Sequence, residues 1–211
     1  MKRHNVGKLI VFEGPDGVGK TTLSKLAVEL LMADGQPTEW LSFPGREVGT
    51  LGHLIYEVHH QPDKFAINSI SNVAKQTLHI AAHLDVIERK IRPLLDSGKH
   101  VILDRYWWST WVYGLSAGIN RELLHSLIEV EKLGWGATRP FRILLVKAAA
   151  PRDRDNENLE QWHKLVEGYQ ILADEEMDTA TRLVVDTFDN NISLTAAEEA
   201  LKAILPLETR I

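Results

Sequence analysis

The hydrophobic positions of the chain fall into short apolar runs separated by longer stretches with helical periodicity. Five runs are rich in β-branched residues and typical of buried parallel strands. They are Lys8 to Glu13, Glu39 to Phe43, His100 to Asp104, Arg142 to Val146 and Arg182 to Asp186. Helical patterns cover Leu23 to Leu31, Leu51 to His59, Ser69 to Ser97, Arg121 to Lys132, Leu159 to Met177 and Ala196 to Ile204. Because parallel strands need crossover connections, this alternation predicts a doubly wound α/β domain.

Composition narrows the possible classes of protein. A length of 211 residues favours one domain, here 1–211, with at most a modest insertion. Hydrophobic residues make up 44% and charged residues 25%, which is enough to build a core. The net charge of −5 does not suit a protein that holds a nucleic-acid backbone by bulk charge. The absence of cysteine excludes disulfides, thiolate metal sites and iron–sulfur clusters.

The sequence contains no pattern typical of a transmembrane helix or of a signal peptide. No apolar stretch approaches the roughly 20 residues that a transmembrane helix needs. The apolar run Leu9 to Phe12 follows a basic N-terminus, but it is too short for the core of a signal peptide. We therefore expect a soluble, cytoplasmic protein.

The first strand leads into a phosphate-binding motif. Gly14 to Thr22 matches GxxxxGK[ST] and lies directly between a strand and an amphipathic helix. The glycines let successive backbone N–H groups point at phosphate oxygens, and the N-terminal end of the helix adds positive charge. Lys20 is expected to reach the β- and γ-phosphates of ATP, and the Thr21 hydroxyl to bind Mg²⁺. The predicted cofactor site comprises Gly14, Asp16, Gly17, Val18, Gly19, Lys20, Thr21 and Thr22. We therefore predict a P-loop NTPase fold. It is a three-layer α/β/α sandwich with a five-stranded parallel sheet and a short lid.

Two further strands end in charged residues at the sheet edge where ligands bind. Asp104 and Arg105 follow the third strand, and Arg46 follows the second. The Asp104 carboxylate can hold the water molecules around a metal ion or accept a proton from a hydroxyl group. The Arg105 guanidinium can bind a phosphate through two hydrogen bonds. Two arginines beside a P-loop indicate a second substrate that carries phosphate. The alternatives are that Asp104 and Arg105 form part of a purely structural ion pair, and that Arg46 is a solvated surface residue.

The segment Ala148 to Asn158 is a charged loop, and we predict that it forms a lid. Transfer between two anions requires water to be excluded and charge to be neutralised, often by an arginine on a closing loop. Arg152 and Arg154 are the candidates, and only one of them is expected to be catalytic. An ordinary charged surface loop is the alternative.

At this point the chain resembles the thymidylate kinase family of P-loop nucleoside monophosphate kinases. The resemblance rests on the segment Glu13 to Thr22, on Phe43-Pro44-Gly45-Arg46 with Gly49 and Gly52, and on Pro93 and Gly98. It continues through Ile102 to Tyr106, Ser109-Thr110 and Tyr113.

The resemblance implies roles for individual residues. Asp16 would bind the sugar 3′-hydroxyl of the acceptor, and Arg46 and Arg105 its 5′-phosphate. The family's catalytic arginine lies in the P-loop or in the lid, and Gly17 occupies the P-loop position, which leaves the lid. The predicted catalytic set is Lys20, Asp104, Arg105, Arg152 and Arg154, with Thr21 and Asp104 at the metal. The predicted acceptor site comprises Asp16, Phe43, Arg46, His79, His83, Arg105, Thr110 and Tyr113.

The chain departs from the family's usual pattern around the base of the acceptor. Where the family has an arginine that hydrogen-bonds thymine and a phenylalanine that stacks on it, this chain has His83 and His79. Neutral imidazole offers one donor and one acceptor, so the hydrogen-bonding code for the base must differ. The two histidines are also spaced to bind a metal from one helix face, but no third ligand is near them. At the position after Tyr113, where bacterial members of the family commonly have a glutamine, this chain has Gly114.

These observations predict a nucleoside monophosphate kinase that transfers the γ-phosphoryl group of ATP to dTMP or a related pyrimidine deoxynucleotide. The alternatives are a deoxynucleoside kinase and a nucleotide-binding regulatory protein without activity. Small-molecule nucleotides are the expected partners, with neither nucleic acid nor membrane, and relatives of this fold imply a homodimer. The cluster of Trp107, Trp108 and Trp111 favours core or a subunit interface over ligand contact.

Overall fold

A computed structural model describes residues 6–152, 158–177 and 183–207. Within these ranges five strands form one parallel sheet. They are β1 Leu9–Glu13, β2 Thr38–Ser42, β3 His100–Asp104, β4 Arg142–Lys147 and β5 Val185–Asp189. The strand order is β2-β3-β1-β4-β5, so β1 is central and its carboxyl end lies between those of β3 and β4.

Helices connect the strands. They are α1 Lys20–Ala33, α2 Leu51–His60, α3 Asn72–Val86, α4 Arg92–Asp96, α5 Trp107–Ser116, α6 Arg121–Trp135, α7 Leu159–Met177 and α8 Leu194–Ile204. A short 3₁₀ turn, Pro62–Phe65, follows α2. Across the described ranges, none of these helices is long and apolar enough to cross a bilayer.

The alternation of residues along β1 shows why the molecule has three layers. Leu9 and Val11 pack into a cluster with apolar residues of α3, α5, α6 and α7. Ile10 and Phe12 pack on the opposite face with residues of α1 and α8. All four side chains are buried, as expected for a parallel strand covered by helices on both sides. The predicted three-layer α/β/α sandwich with five parallel strands is confirmed.

Several helices begin where a small polar side chain satisfies a free backbone N–H. The side-chain oxygen of this residue accepts a hydrogen bond from the backbone N–H three positions later. The capping residues are Thr50, Ser71, Asn120 and Ser193. These caps fix where α2, α3, α6 and α8 begin.

The last strand is the largest error in the predicted boundaries. The prediction covered Arg182 to Asp186, whereas β5 runs from Val185 to Asp189, and Arg182 lies outside the described residues. Within the described residues β5 is an edge strand that pairs only with β4, and it leaves most of its side chains accessible, with Phe188 buried. Three of its five residues are Asp or Thr, and Leu183 and Val184, which helped to suggest a strand, lie just before it.

Two helical segments also differ from the prediction. The stretch predicted as one helix from Ser69 to Ser97 contains a π-helical turn, Ile87–Ile91, between α3 and α4. Pro93 follows this turn and has no backbone N–H to donate, which is consistent with the change in hydrogen-bond pattern. The helix α5, Trp107–Ser116, was not predicted. The tryptophans of this helix are buried in the core, one of the two locations predicted for them. The segment therefore lacks a polar face that would show helical periodicity.

Candidate functional site

The motif between β1 and α1 forms a tight loop whose backbone contacts the start of the predicted lid. Gly17 has a φ of 83°, and a Cβ at this position would lie 2.7 Å from Cβ of Pro151. The Gly17 carbonyl accepts a hydrogen bond of 2.9 Å from the backbone N–H of Arg152. The Val18 carbonyl accepts one of 2.7 Å from the amide of Asn190. Two later segments of the chain, which contain Arg152 and Asn190, thus hydrogen-bond to the backbone of the loop.

Lys20 is the first residue of α1 and is almost fully buried under this loop. Its ammonium group donates a hydrogen bond of 2.7 Å to the carbonyl of Pro15. Burial, followed by the nearby Arg105 guanidinium, lowers the pKa of Lys20 to about 7, and the carboxylates of Asp16 and Asp104 act in the opposite direction. A buried cation whose pKa is depressed is well suited to an incoming polyphosphate, which would restore its charge.

Thr21 and Asp104 meet at the carboxyl end of the sheet, where the Thr21 hydroxyl donates a 2.6 Å hydrogen bond to Oδ2 of Asp104. A hydroxyl and a carboxylate are hard oxygen ligands of the kind that Mg²⁺ prefers, and Mg²⁺ commonly completes its shell with water and phosphate oxygens. The pair therefore fits the predicted metal. No group of three or more His, Cys, Asp or Glu side chains suited to a metal occurs among the described residues.

Glu13 is fully buried at the end of β1 and organises the start of α5. Its carboxylate accepts hydrogen bonds from the backbone N–H groups of Tyr106 (2.7 Å) and Ser109 (3.0 Å) and from the Ser109 hydroxyl (2.8 Å). The hydroxyl of Tyr169 in turn contacts Ser109 at 2.8 Å. Burial raises the pKa of Glu13, and the Arg105 cation opposes that effect. Glu13 belongs to the motif from which the family resemblance follows, but no role was predicted for its side chain.

Arg105 lies between the P-loop and α5 and forms an ion pair with Asp16. Its φ of 78° is unusual for a residue with a side chain, and such backbone strain concentrates at functional sites. Tyr113 adds its hydroxyl as acceptor for the Asp16 backbone N–H at 3.0 Å, and Trp162 donates to the Asp16 carbonyl at 2.8 Å. Burial lowers the pKa of Arg105, but the charges of Asp16 and its neighbours outweigh this effect and the net direction is upward. The guanidinium stays charged.

A cleft of about 490 Å³ opens beside this ion pair. Arg46 lines it with its guanidinium 4.9 Å from the ring centroid of Tyr56. Thr110 is buried and lies on the α5 side. The structure brings the whole predicted acceptor site together at this cleft: Asp16, Phe43, Arg46, His79, His83, Arg105, Thr110 and Tyr113.

The two histidines of the predicted base site have different surroundings. His79 contacts His59 through a hydrogen bond of 2.8 Å between ring nitrogens, and burial, with His83 next, lowers its pKa to about 3. His83 is buried, stacks on Phe43, and places Nδ1 3.0 Å from Oε2 of Glu131. In the described part of the chain neither histidine belongs to a metal-binding group. His59 and Glu131 were not predicted at this site, because both lie on helices other than the one that carries His79 and His83.

The start of the predicted lid lies against the P-loop. Arg152 donates a hydrogen bond from its guanidinium to the carbonyl of Asn190, and one guanidinium nitrogen lies 3.9 Å from where a Cβ on Gly19 would be. Arg154 lies outside the described residues. Arg152 is therefore the predicted lid arginine whose position is known, and it lies beside the phosphate loop.

Comparison with known proteins identifies the family. The family model for thymidylate kinase matches residues 12–186. A thymidylate kinase of Thermoanaerobacter sp. strain X514 is 33% identical over 179 residues, covering 80% of this chain and 85% of that protein. A probable thymidylate kinase of Methanococcus maripaludis strain C6 is 31% identical over 215 residues, covering 95% and 96%. A thymidylate kinase of Legionella pneumophila strain Paris is 27% identical over 210 residues, covering 94% of each. The chain belongs to the thymidylate kinase family of nucleoside monophosphate kinases.

Proposed function

We propose that this chain transfers the γ-phosphoryl group of ATP to the 5′-phosphate of dTMP or a related pyrimidine deoxynucleotide. The observation that carries the proposal is the continuity between the P-loop and the cation-lined cleft. Asp16 belongs to both, and Arg46 and Arg105 line the cleft beside it. Two polyanions can approach each other there because guanidinium groups offset their repulsion.

On the donor side, the backbone of the glycine-rich loop and Lys20 bind the phosphates of ATP. Lys20 lies at the N-terminus of α1, where backbone N–H groups and the helix dipole also favour anions. Thr21 and Asp104 would hold Mg²⁺, which neutralises charge on the β- and γ-phosphates when bound.

On the acceptor side, Arg46 and Arg105 bind the 5′-phosphate and Asp16 the 3′-hydroxyl of the sugar. The attacking oxygen already carries negative charge, so no strong general base is needed. Among the described residues that line the cleft, Asp16 is the one carboxylate, and it is paired with Arg105. Glu13 is fully buried and bonded to α5. This arrangement suits a charged acceptor better than a nucleoside, whose hydroxyl would need an available carboxylate.

We assign the segment from Ala148 to Asn158 to a lid, within a single P-loop kinase domain that spans residues 1–211. Closure would exclude water and bring an arginine to the migrating phosphoryl group, where it stabilises developing charge. Arg152 is the first candidate because its guanidinium lies beside Gly19. Arg154 remains the second.

The test is a coupled assay for ADP release with all natural ribo- and deoxynucleoside monophosphates and with the matched nucleosides. We expect turnover of pyrimidine deoxynucleoside monophosphates that depends on Mg²⁺. Faster turnover of the nucleosides would favour a deoxynucleoside kinase. ATP binding without any diphosphate product would indicate a regulatory protein.

Replacement of Arg46 gives a second test of the acceptor site. Arg46→Ala should lower kcat/KM for the monophosphate by about 10- to 100-fold, since a hydrogen bond to a charged group contributes about 1.5–3 kcal/mol. The KM for ATP should change little. Arg89→Ala removes a highly exposed arginine and is the matched control. Unchanged kinetics of Arg46→Ala would show that Arg46 is ordinary surface.

We also propose that the protein is a homodimer and works in the cytoplasm. One exposed stripe of α6 carries Leu123, Val130 and Leu133, and such an apolar surface favours association. Light scattering of the wild type and of Leu133→Glu checks the dimer. A wild type that is monomeric at micromolar concentration would contradict it.

A further inference from the structure

A buried carboxylate orients one of the cleft histidines. His83 and Glu131 lie on different helices, with Nδ1 of His83 3.0 Å from Oε2 of Glu131. Glu131 is fully buried, and only 3% of His83 is exposed. The ring is further fixed by Phe43, whose centroid lies 4.0 Å away with an interplanar angle of 10°. The orientation of His83 is therefore set on two sides.

The surroundings of Glu131 indicate what it does. Its second oxygen, Oε1, is buried and has no hydrogen-bond partner in the ranges that the structure describes. A buried carboxylate with one unpaired oxygen is destabilising, so packing alone does not explain its presence. Its hydrogen bond to His83 gives it a role, which is to hold that imidazole in one tautomer.

The tautomer determines what His83 offers to a ligand. A carboxylate oxygen accepts, so Nδ1 carries the proton. In neutral imidazole the other ring nitrogen, Nε2, carries a lone pair, and within the described ranges it makes no hydrogen bond. His83 presents a hydrogen-bond acceptor at the wall of the cleft.

We propose that His83 reads the base of the acceptor nucleotide through Nε2 as a hydrogen-bond acceptor, with Glu131 as its positioning residue. This inference rests on the function proposed above. The base must then present an N–H group to His83. Among pyrimidines, the ring N3–H of thymine and uracil and the 4-amine of cytosine are the groups that supply one.

Pairs of nearly isosteric substrates test whether that N–H group is read. The first pair is dTMP and 3-deaza-dTMP, in which C–H replaces N3–H. The second pair is dCMP and the 2-pyrimidinone deoxynucleotide, which lacks the 4-amine. For the preferred natural pyrimidine we expect the analogue to lose about 10- to 100-fold in kcat/KM and in calorimetric affinity, the loss for an unpaired buried polar group. Equal values within both pairs would overturn the proposal.

Variants then show whether His83 and Glu131 are responsible. The double variant His83→Phe/Glu131→Leu keeps a ring against Phe43 and strands no buried charge, so it is expected to fold. It should abolish the difference within the preferred pair. Glu131→Gln can donate to Nδ1 and release the tautomer, so it should reduce the difference. Glu129→Gln, on the exposed side of the same helix, should retain it.

The outcomes separate this proposal from the proposed function. If the difference within the pair persists in the double variant, His83 is not the reader and the inference is wrong. If Glu131→Gln behaves as the wild type, Glu131 does not position His83. If no natural monophosphate is turned over, the proposed function fails, and the calorimetric affinities still decide whether the N–H is read.

Discussion

At the scale of single residues, the site is built from charges that would be unstable if they were alone. Lys20 is buried, yet its ammonium group has a backbone carbonyl of Pro15 and the carboxylates of Asp16 and Asp104 around it. Arg105 is held in a rare backbone conformation and paired with Asp16. These groups are preorganised for phosphate, so their energetic cost is offset when an anion binds.

Lys20 should make ATP binding depend on pH. Its pKa is about 7 in the free protein, and bound phosphates would raise it. Binding then takes up a proton, so affinity should fall as pH rises above about 7, by at most tenfold per pH unit. Calorimetry at pH 8 in two buffers of different ionisation enthalpy measures the proton uptake.

The control for this experiment is on the same helix. Lys20→Met should remove the proton uptake, whereas Lys25→Met, at an exposed position of α1, should retain it. Absence of uptake in the wild type would contradict the low pKa of Lys20.

Gly17 allows the lid segment to approach the P-loop. Gly17→Ala should destabilise the protein by about 1–3 kcal/mol, because φ is +83° and the new methyl group would meet Pro151. Gly35→Ala is the matched control, since Gly35 has the same φ and open space around it. Urea unfolding of both variants measures the difference that is due to the Pro151 contact. Equal destabilisation would mean that this contact is not tight.

At the scale of elements, α5 joins the phosphate site to the base site. Its first turn donates backbone N–H groups to Glu13, which ends β1. Further along, Tyr113 contacts Asp16, and Gly114 packs against α6. The position of α5 is thus set by the strand on one side and by a helix on the other.

Gly114 makes that close packing possible. A Cβ at this position would lie 2.8 Å from Cδ2 of Leu124, which is fully buried and cannot move freely. Gly114→Gln, which introduces the residue common in bacterial relatives, should cost about 1–3 kcal/mol through overpacking. Ser116→Gln, at an exposed position of the same helix, is the control. Thermal unfolding checks the result, and addition of Leu124→Ala should recover part of the loss. An unchanged stability of Gly114→Gln would contradict tight packing.

At the scale of the whole molecule, the sheet topology assembles the site. Because β3 and β4 flank β1 in parallel, the residues after these three strands lie at one edge. That edge carries the P-loop, Asp104 and the start of the segment that leads to Arg152. Helices α2, α3 and α6 close the cleft and bring His59, His79, His83 and Glu131 together.

The buried His79 should make the stability of the folded protein sensitive to acid. His79 has a pKa of about 3 when folded, against about 6.5 in the unfolded chain, and burial is the first cause. Between these values the unfolded state binds more protons, so the free energy of unfolding should fall as pH decreases from about 6.5 towards 3. This residue alone contributes a slope of up to about 1.4 kcal/mol per pH unit.

His79→Phe isolates that contribution. The variant should show a smaller loss of stability in this pH window, measured by urea unfolding at several pH values. His125→Phe, which changes an exposed histidine on α6, is the control. Identical pH profiles for His79→Phe and the wild type would contradict the assignment.

The sequence by itself determined the features that depend on local chemistry. The strand His100 to Asp104, the P-loop and the helix Leu159 to Met177 follow from periodicity and from the glycine-rich motif, which act over a few positions. Arg46 and Arg105 were predicted to meet because the ends of parallel strands share one edge. The family resemblance placed His79 and His83 beside the base.

Only the tertiary structure decided which distant side chains meet. Glu131 lies 48 positions from His83, and Asn190 lies 172 from Val18, and no local pattern encodes such pairs. The edge strand β5 was misplaced because most of its side chains are accessible and polar, and the helix α5 was missed because burial around most of its surface removes the periodic signal. Contacts between elements depend on how helices pack on the sheet, and that is a property of the assembled molecule.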